Sequence, residues 1–456
     1  MNRNSLIILG ASHILIICLV GLFCGEVTGK PNIVLIMADD LGYGDISLHG
    51  APDIRTPHID GLAESGVYFS RFYTSGTVCS PTRAGLMTGR YQQRTGCDRV
   101  VYVEEKDLGM SLKEKLLPEY LKELGYVTGI TGKWHLGYPA EYNPTRRGFD
   151  EFFGFLAGNI DYYTHYDRLD VYDLWRNEET VEVPGYMTEL ITDEAVSFIN
   201  RHQDESFFLY VPYSAPHTPI QGPGEESRSE YPDGSKRYSG TPTRETFAAM
   251  VESMDTGIGV INQALKDHNL YDNTLLVFLS DNGADRNGRN APYHFGKQLL
   301  YEGGIRTPMM LQWPDRIQAG AMIDVPGISL DLFSTILRAA GGTVPDDRVI
   351  DGKDVMPLID GTTTQHHEYL YWEYAGGKAI QQGKWKYHVD RRGTERLTDL
   401  TVDIGETGNA IQDHPELAAQ LKAKWDAWYE DVMRSGADRR MPDRKLTPKQ
   451  IQQLPK

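Results

Sequence analysis

Cys79 stands in the pentapeptide Cys79-Ser80-Pro81-Thr82-Arg83. Pro81 lacks an amide N–H and carries a preset φ, which suits the first turn of a helix. Cys79 then sits at a helix start, beneath free N–H groups that favour negative charge. Arg83 follows one helical turn on, along the same face. Such a cysteine is either a reactive centre or a small buried hydrophobe ahead of an ordinary helix. Two oxygen-rich pairs lie elsewhere, Asp39-Asp40 before Leu41-Gly42 and Asp281-Asn282 before Gly283. Oxygen donors of this kind suit Ca²⁺ or Mg²⁺, and no Cys/His cluster with zinc spacing accompanies them. Lys133 and His135 alternate, so both can point one way at a strand's end. His217 has Pro216 before it and Pro219 two residues after, which stiffens its loop.

Each of these groups follows a run that reads as a strand. Pro31–Met37 and Thr274–Ser280 are continuous apolar runs, the pattern of strands buried on both faces of a parallel sheet. Tyr126–Thr131 and Phe207–Val211 are shorter runs of the same kind. Between them, Asp53–Phe69 reads as a helix then a strand, Leu112–Leu124 as an amphipathic helix stopped by Gly125, and Thr246–His268 as a helix. Strands alternating with helices imply a mostly parallel α/β sheet, whose ligands bind beyond the strands' carboxyl ends. Residues 222–242 read as a surface loop. After a composition shift near Gly361–Gln365 come three strand-like runs, Tyr369–Tyr374, Lys378–Gln381 and Trp385–Val389, then a helix from Pro415 to about Met433. These predict a small antiparallel sheet with a terminal helix.

C-x-P-x-R followed by Ala84-Gly85-Leu86-Met87-Thr88-Gly89-Arg90 is similar to the signature of the type I, formylglycine-dependent sulfatases. T-G-K-W-H-L-G around Lys133 and His135, P-H-x-P around His217, and Gly296-Lys297 with Tyr301–Pro308 resemble the same family. So does the late order K-A-I-Q-Q-G-K-W-K-Y, L-T-D-L and H-P-E-L, and the resemblance spans nearly all of the mature chain. It implies an alkaline phosphatase-like α/β fold: a large mixed, mostly parallel sheet flanked by helices, with a smaller C-terminal antiparallel sheet and helix. It implies sulfuric ester hydrolysis. A formylglycine-generating or other sulfatase-maturing enzyme would convert Cys79 to 3-oxoalanine, that is Cα-formylglycine. Asp39, Asp40, Asp281 and Asn282 would hold one Ca²⁺ together with the modified Cys79. Arg83 and His135 would position and activate the hydrated aldehyde, and Lys133, His217 and Lys297 would grip the sulfate. His217 would protonate the departing oxygen and His135 would act as base for sulfate release. Asp161-Tyr162-Tyr163-Thr164-His165 looks like a string of the arylsulfatase B branch. With aromatic faces to stack on sugar rings, it points to a sulfated glycan of galactose or N-acetylgalactosamine type. Two other readings stay open: hydrolysis of a phosphonate or phosphodiester by the same groups, and glycan binding alone if Cys79 is unmodified.

A chain of 456 residues suggests two or three domains, and its 40% hydrophobic content supports a proper core. A formal charge of −17 argues against nucleic acid, so an anionic substrate must find a local positive pocket. Residues 1–29 read as an export signal: Arg3 supplies the basic start, Ser5–Cys24 carries no charged residue, and Val27-Thr28-Gly29 resembles a cleavage site. Export to periplasm or medium is expected rather than membrane anchoring. Cys18 and Cys24 fall in that segment, which leaves Cys79 and Cys97 and no disulfide framework, as in a bacterial rather than an animal enzyme. The domain expectation is a signal over 1–29, a catalytic domain over 30–364 and an α+β subdomain over 365–456.

Overall fold

The computed structural model describes residues 29–225 apart from 106, the short strands Ser229–Glu230 and Lys236–Arg237, and residues 242–436. The expected export signal, Gly29 aside, lies outside the described residues, as does most of the expected 222–242 loop.

The strands Asn32–Ala38 and Thr274–Ser280 are buried along their whole length. They pair in parallel, Ile33 opposite Leu275, and Asn32–Ala38 pairs in parallel on its other side with Phe207–Pro212. Val127–Lys133 joins next, also parallel. These four strands sit side by side in the middle of a ten-stranded sheet. Their common direction brings all four carboxyl ends to one edge. Outer strands such as Met309–Gln312 and Trp175–Arg176 run antiparallel, so the sheet is mixed, as expected.

Successive side chains go to opposite faces, and each face has its own helical cover. Val34, Ile36, Leu276 and Phe278 pack with the helices Met187–Arg201 and Arg244–Asp267. Ile33, Leu35, Leu275 and Val277 pack with the helices Cys79–Thr88, Leu117–Glu123 and Asp331–Ala339. Fully burying one such aliphatic side chain is worth about 1.5–3 kcal/mol. Two covered faces therefore explain why these strands read as unbroken apolar runs.

Two expectations on elements need correction. The helix expected over Leu112–Leu124 is confined to Leu117–Glu123, because Pro118 fits only a first turn. Glu119 caps it, its carboxylate accepting from the Leu116 amide at 2.7 Å. The C-terminal sheet has a fourth strand, Glu395–Asp399, beyond Leu370–Tyr374, Gly377–Gln382 and Trp385–Val389. Its polar sequence conceals it, since it brings little beyond Leu397 to the core. The helix Pro415–Gly436 lays Leu421, Trp425 and Val432 on this sheet, and Trp425 Nε1 donates to the Trp372 carbonyl at 2.9 Å. Among the described residues no helix is long and apolar enough to cross a membrane.

A buried charge cluster ties the small sheet to the main body of the protein. Lys386 Nζ lies 3.0 Å from Glu302 and 2.9 Å from Glu406, all three out of solvent. Glu302 also accepts from the Tyr73 hydroxyl at 2.9 Å and pairs with Arg306 at 3.3 Å. Removing one member strands charge in the interior. Lys386→Met should destabilise the protein by about 3–5 kcal/mol in urea titration, and a loss below about 1 kcal/mol would show that the cluster contributes little.

Candidate active site

The edge formed by the four carboxyl ends carries the acidic residues. Asp281 N donates to the Ala38 carbonyl at 3.1 Å, which extends the pairing one residue past the strands. Asp40 turns into the left-handed region, φ 68°, and its amide donates to Asp281 Oδ1 at 3.2 Å. As a result the carboxylates of Asp39, Asp40 and Asp281, all buried, present oxygens within 4.8 Å of one another. Asn282 Nδ2 donates to Asp40 Oδ1 at 2.7 Å.

Three cations face these three carboxylates. Lys133 Nζ donates to Asp39 Oδ2 at 2.6 Å, and Lys297 Nζ lies 2.7 Å from Asp40 Oδ1. Arg83 donates to Asp281 Oδ2 through Nε at 3.1 Å and Nη2 at 2.9 Å, and through Nη1 to the Lys133 carbonyl at 3.0 Å. The balance is local and uneven. Burial opposes the Asp40 charge, yet Lys297 and His217 overcome it and hold that carboxyl well below the ordinary range. Burial and the Asp39 charge push the Asp281 carboxyl up.

Two buried oxygens, Asp39 Oδ1 and Asn282 Oδ1, accept no hydrogen bond. A buried lone pair without a donor is costly, and an oxygen-only set of this density suits a hard divalent cation. The donor chemistry therefore fits Ca²⁺.

Cys79 opens the helix Cys79–Thr88 and is 3% exposed. Its sulfur, one Asp39 oxygen and one His217 nitrogen lie within 4.8 Å of one another, so Asp39 belongs to both clusters. Burial pushes the thiol up, while Lys133 and Lys297 pull against it. Cys79 and Cys97 are both free thiols.

The two histidines are fixed in opposite tautomers. His135 Nε2 meets the Val101 carbonyl at 2.9 Å. A carbonyl only accepts, so Nε2 carries the proton and the buried, unpartnered Nδ1 is bare. Burial, then Lys133 and Arg83, hold this imidazole well below the usual histidine range. His217 instead places Nδ1 at 2.7 Å from the Thr218 carbonyl, leaving Nε2 bare at 3.6 Å from Asp40 Oδ2. Burial and Lys297 push His217 down to about 3. Tyr162 braces its loop, the hydroxyl lying 2.7 Å from the Ser214 carbonyl and 3.0 Å from that of His217.

Cys79, His135, His217 and Lys297 line one cleft of about 170 Å³. Arg83 and Lys133 lie beneath it, fully buried against the carboxylates. Other walls were not anticipated: Val101, Tyr102, Arg168 and Gln298, with Tyr374 arriving from the small sheet. Nothing in their spacing links them to Cys79. Asn159 reaches the rim, but the tyrosines of the 161–165 string do not stack there as expected. Tyr162 is buried, and Tyr163 donates inward to the Gly222 carbonyl at 2.7 Å.

A mixed, mostly parallel sheet with helices on both faces and a charged cleft at its carboxyl edge defines an alkaline phosphatase-like α/β fold. The chain belongs to the sulfatase family, the sulfuric ester hydrolases: the family described as Sulfatase matches residues 31–342. A second description, N-sulphoglucosamine sulphohydrolase, C-terminal, matches residues 292–427. N-acetylgalactosamine-6-sulfatase of Canis lupus familiaris is 35% identical over 403 residues, spanning 82% of this chain and 74% of that protein. Arylsulfatase J of Mus musculus is 35% identical over 346 residues, spanning 73% of this chain and 56% of that protein. The crystal structure of Ps i-CgsB is similar with a TM-score of 0.80 at 34% identity, covering 88% of this chain and 93% of that one, and it is known also in complex with k-i-k-neocarrahexaose.

Two predictions follow from the packing round His135. A Cβ on Gly158 would fall 2.7 Å from the His135 ring. Gly158→Ala should displace that ring and lower kcat at least about tenfold while thermal unfolding stays within a few degrees; unchanged kcat would remove His135 from the chemistry. Asp173 shapes the approach to Gly158, accepting from Leu156 N at 3.2 Å and Ala157 N at 2.7 Å. Burial raises its carboxyl from 3.8 to about 7. The folded chain therefore keeps a proton that the unfolded chain releases; the stabilisation is complete below the unfolded value and is lost as pH rises towards 7. Melting curves between about pH 4 and 8 should show Asp173→Asn losing less stability over that window than the native chain.

Proposed function

We propose that this protein removes sulfate from a sulfated carbohydrate, at a galactose- or N-acetylgalactosamine-type residue, using formylglycine at position 79 and Ca²⁺. The observation that carries the reading is that Asp39 touches both clusters: the carboxylate set with its unpartnered oxygens, and the group of Cys79 and His217. The relatives named above support the substrate class: one is named for N-acetylgalactosamine 6-sulfate chemistry, and the similar crystal structure is known with a neocarrahexaose.

Asp39, Asp40, Asp281, Asn282 and the modified Cys79 would hold Ca²⁺, which supplies fixed positive charge against the sulfate oxygens. Formylglycine, as its hydrate, supplies a hydroxyl to displace the alcohol at sulfur and a second hydroxyl that lets sulfate leave. The remaining steps fall to side chains of this chain. His135, a residue of the cleft wall whose Nδ1 is bare, takes the proton from a hydroxyl at residue 79. Lys297 lines the cleft and can turn its ammonium from Asp40 to a sulfate oxygen. Lys133, with no solvent exposure, orients Asp39 from beneath the cleft. Arg83 does the same for Asp281. His217 Nε2 faces the cleft as a neutral acceptor; sulfate arriving beside it raises its proton affinity, so it can hold the proton that the departing oxygen needs. On this reading residues 30–364 carry the chemistry, 365–456 close one wall of the cleft, and 1–29 direct export from a bacterial cell.

Two measurements test the proposal. Peptide mass analysis should find an aldehyde at residue 79, and Cys79→Ala should lower sulfate release at least about a thousandfold with the fold intact. An intact thiol in fully active protein would refute it. A panel of defined sulfated oligosaccharides should release sulfate faster than an aryl phosphodiester is cleaved, and the opposite order would favour the diesterase reading.

A further inference from the structure

Away from the cleft, three metal-ligating side chains converge on one point. Asp331 opens the helix Asp331–Ala339 and is completely buried. His366 and His367, in the loop before the Leu370–Tyr374 strand, both turn Nε2 to its carboxylate. His366 Nε2 is 3.0 Å from Oδ2 and His367 Nε2 is 2.7 Å from Oδ1. Two imidazoles presenting the same nitrogen to one buried carboxylate is a 2-His-1-carboxylate arrangement. We propose that Asp331, His366 and His367 form a metal site for Zn²⁺, separate from the catalytic centre, that clamps the entry of the small sheet to the main body of the protein.

The donors are already gathered. The ligating atoms of all three residues lie within 4.8 Å of one another. Zinc takes nitrogen and oxygen ligands at about 2.0–2.2 Å, so two atoms bound to one ion sit roughly 3 Å apart or slightly more. The observed 2.7 and 3.0 Å separations need to open by only a few tenths of an ångström, on the order of a rotamer adjustment. To bind the ion, each Nε2 gives up its proton and its hydrogen bond to Asp331 and offers the lone pair instead, so the N···O contacts are replaced by metal–ligand bonds.

The outer partners of the carboxylate stay in place when this happens. Oδ2 accepts from the Ile328 amide at 2.8 Å and Oδ1 from the Lys353 amide at 2.8 Å. Bonds of this kind orient a ligating carboxylate. Lys353 Nζ also donates to the His366 carbonyl at 2.7 Å, which fixes the loop that carries both histidines. The two histidine side chains are 3% and 9% exposed, so the site is nearly shielded from solvent. Imidazole donors favour zinc over the hard cation suited to the catalytic carboxylates. The adjacent histidines lack the spacing of the common zinc motifs, and the carboxylate is 35 residues away, so the sequence hides the site.

Full-length protein should be stripped with EDTA, reloaded with Ca²⁺ and then Zn²⁺, and freed of loose metal by gel filtration. Elemental analysis should find one zinc per chain more in the native protein than in the His366→Gln, His367→Gln double variant, with equal calcium in both. Equal zinc in the two proteins overturns the site. Should the double variant fail to fold, Co²⁺-loaded native protein decides. With the catalytic carboxylates kept filled by excess Ca²⁺, visible bands of nitrogen- and oxygen-ligated cobalt that persist in the His217→Ala variant support the site, whereas no bands, or bands lost with His217, overturn it.

Discussion

Everything at the catalytic edge depends on holding three carboxylates together out of water. Like charges at that separation repel strongly in a medium of low polarity, and each ion also loses its hydration. The sheet makes the arrangement possible because backbone pairing fixes where Asp39, Asp40 and Asp281 begin, regardless of their mutual repulsion. Lys133, Lys297 and Arg83 then answer the charge one for one. Each comes from a different segment, so the site can exist only when the central strands, the Cys79 helix and the 297 loop are all in place. Stability and chemistry are thus joined in the same contacts.

The central strands and the acidic pairs were legible in the sequence for a physical reason. Strands buried on two faces must be apolar throughout, and residues at their ends are free of that demand, so Asp39 and Asp281 stand out against Leu35 and Val277. Cys79 and Pro81 were legible through helix-start chemistry. Other features were concealed. The Glu395–Asp399 strand has one covered face and mostly polar residues, so it carries no apolar run. Tyr374 joins the cleft from a separate sheet, a contact made by tertiary packing alone. Lys133 illustrates a subtler limit: its position at a strand's end was readable, but its complete burial against Asp39 was not, because that contact is made only in the folded sheet. The aromatic string after Asp161 had the composition of a sugar platform, yet its hydroxyls are engaged in bracing backbone.

The small C-terminal sheet has two kinds of attachment. One is the sealed cluster of Lys386 with Glu302 and Glu406 in the interior; the other is the clasp of Asp331 with two histidines nearer the surface. Tyr374, at the end of the Leu370–Tyr374 strand, lines the cleft, so the sheet's position sets part of the shape that a substrate meets.

Lys297 belongs to two environments at once: its ammonium rests on Asp40, and its side chain borders the cleft. A divalent ion held among the carboxylates would compete for the same Asp40 oxygens and loosen that contact. The freed ammonium would then be open to an incoming anion. Occupancy of the two places is consequently linked, and linkage works in both directions: whatever tightens the hold on the inorganic ion tightens the hold on the anionic ligand by the same factor. On that linkage, one side chain shared by two neighbours would make the centre without its ion a poor trap for stray anions and the centre with it a good receptor.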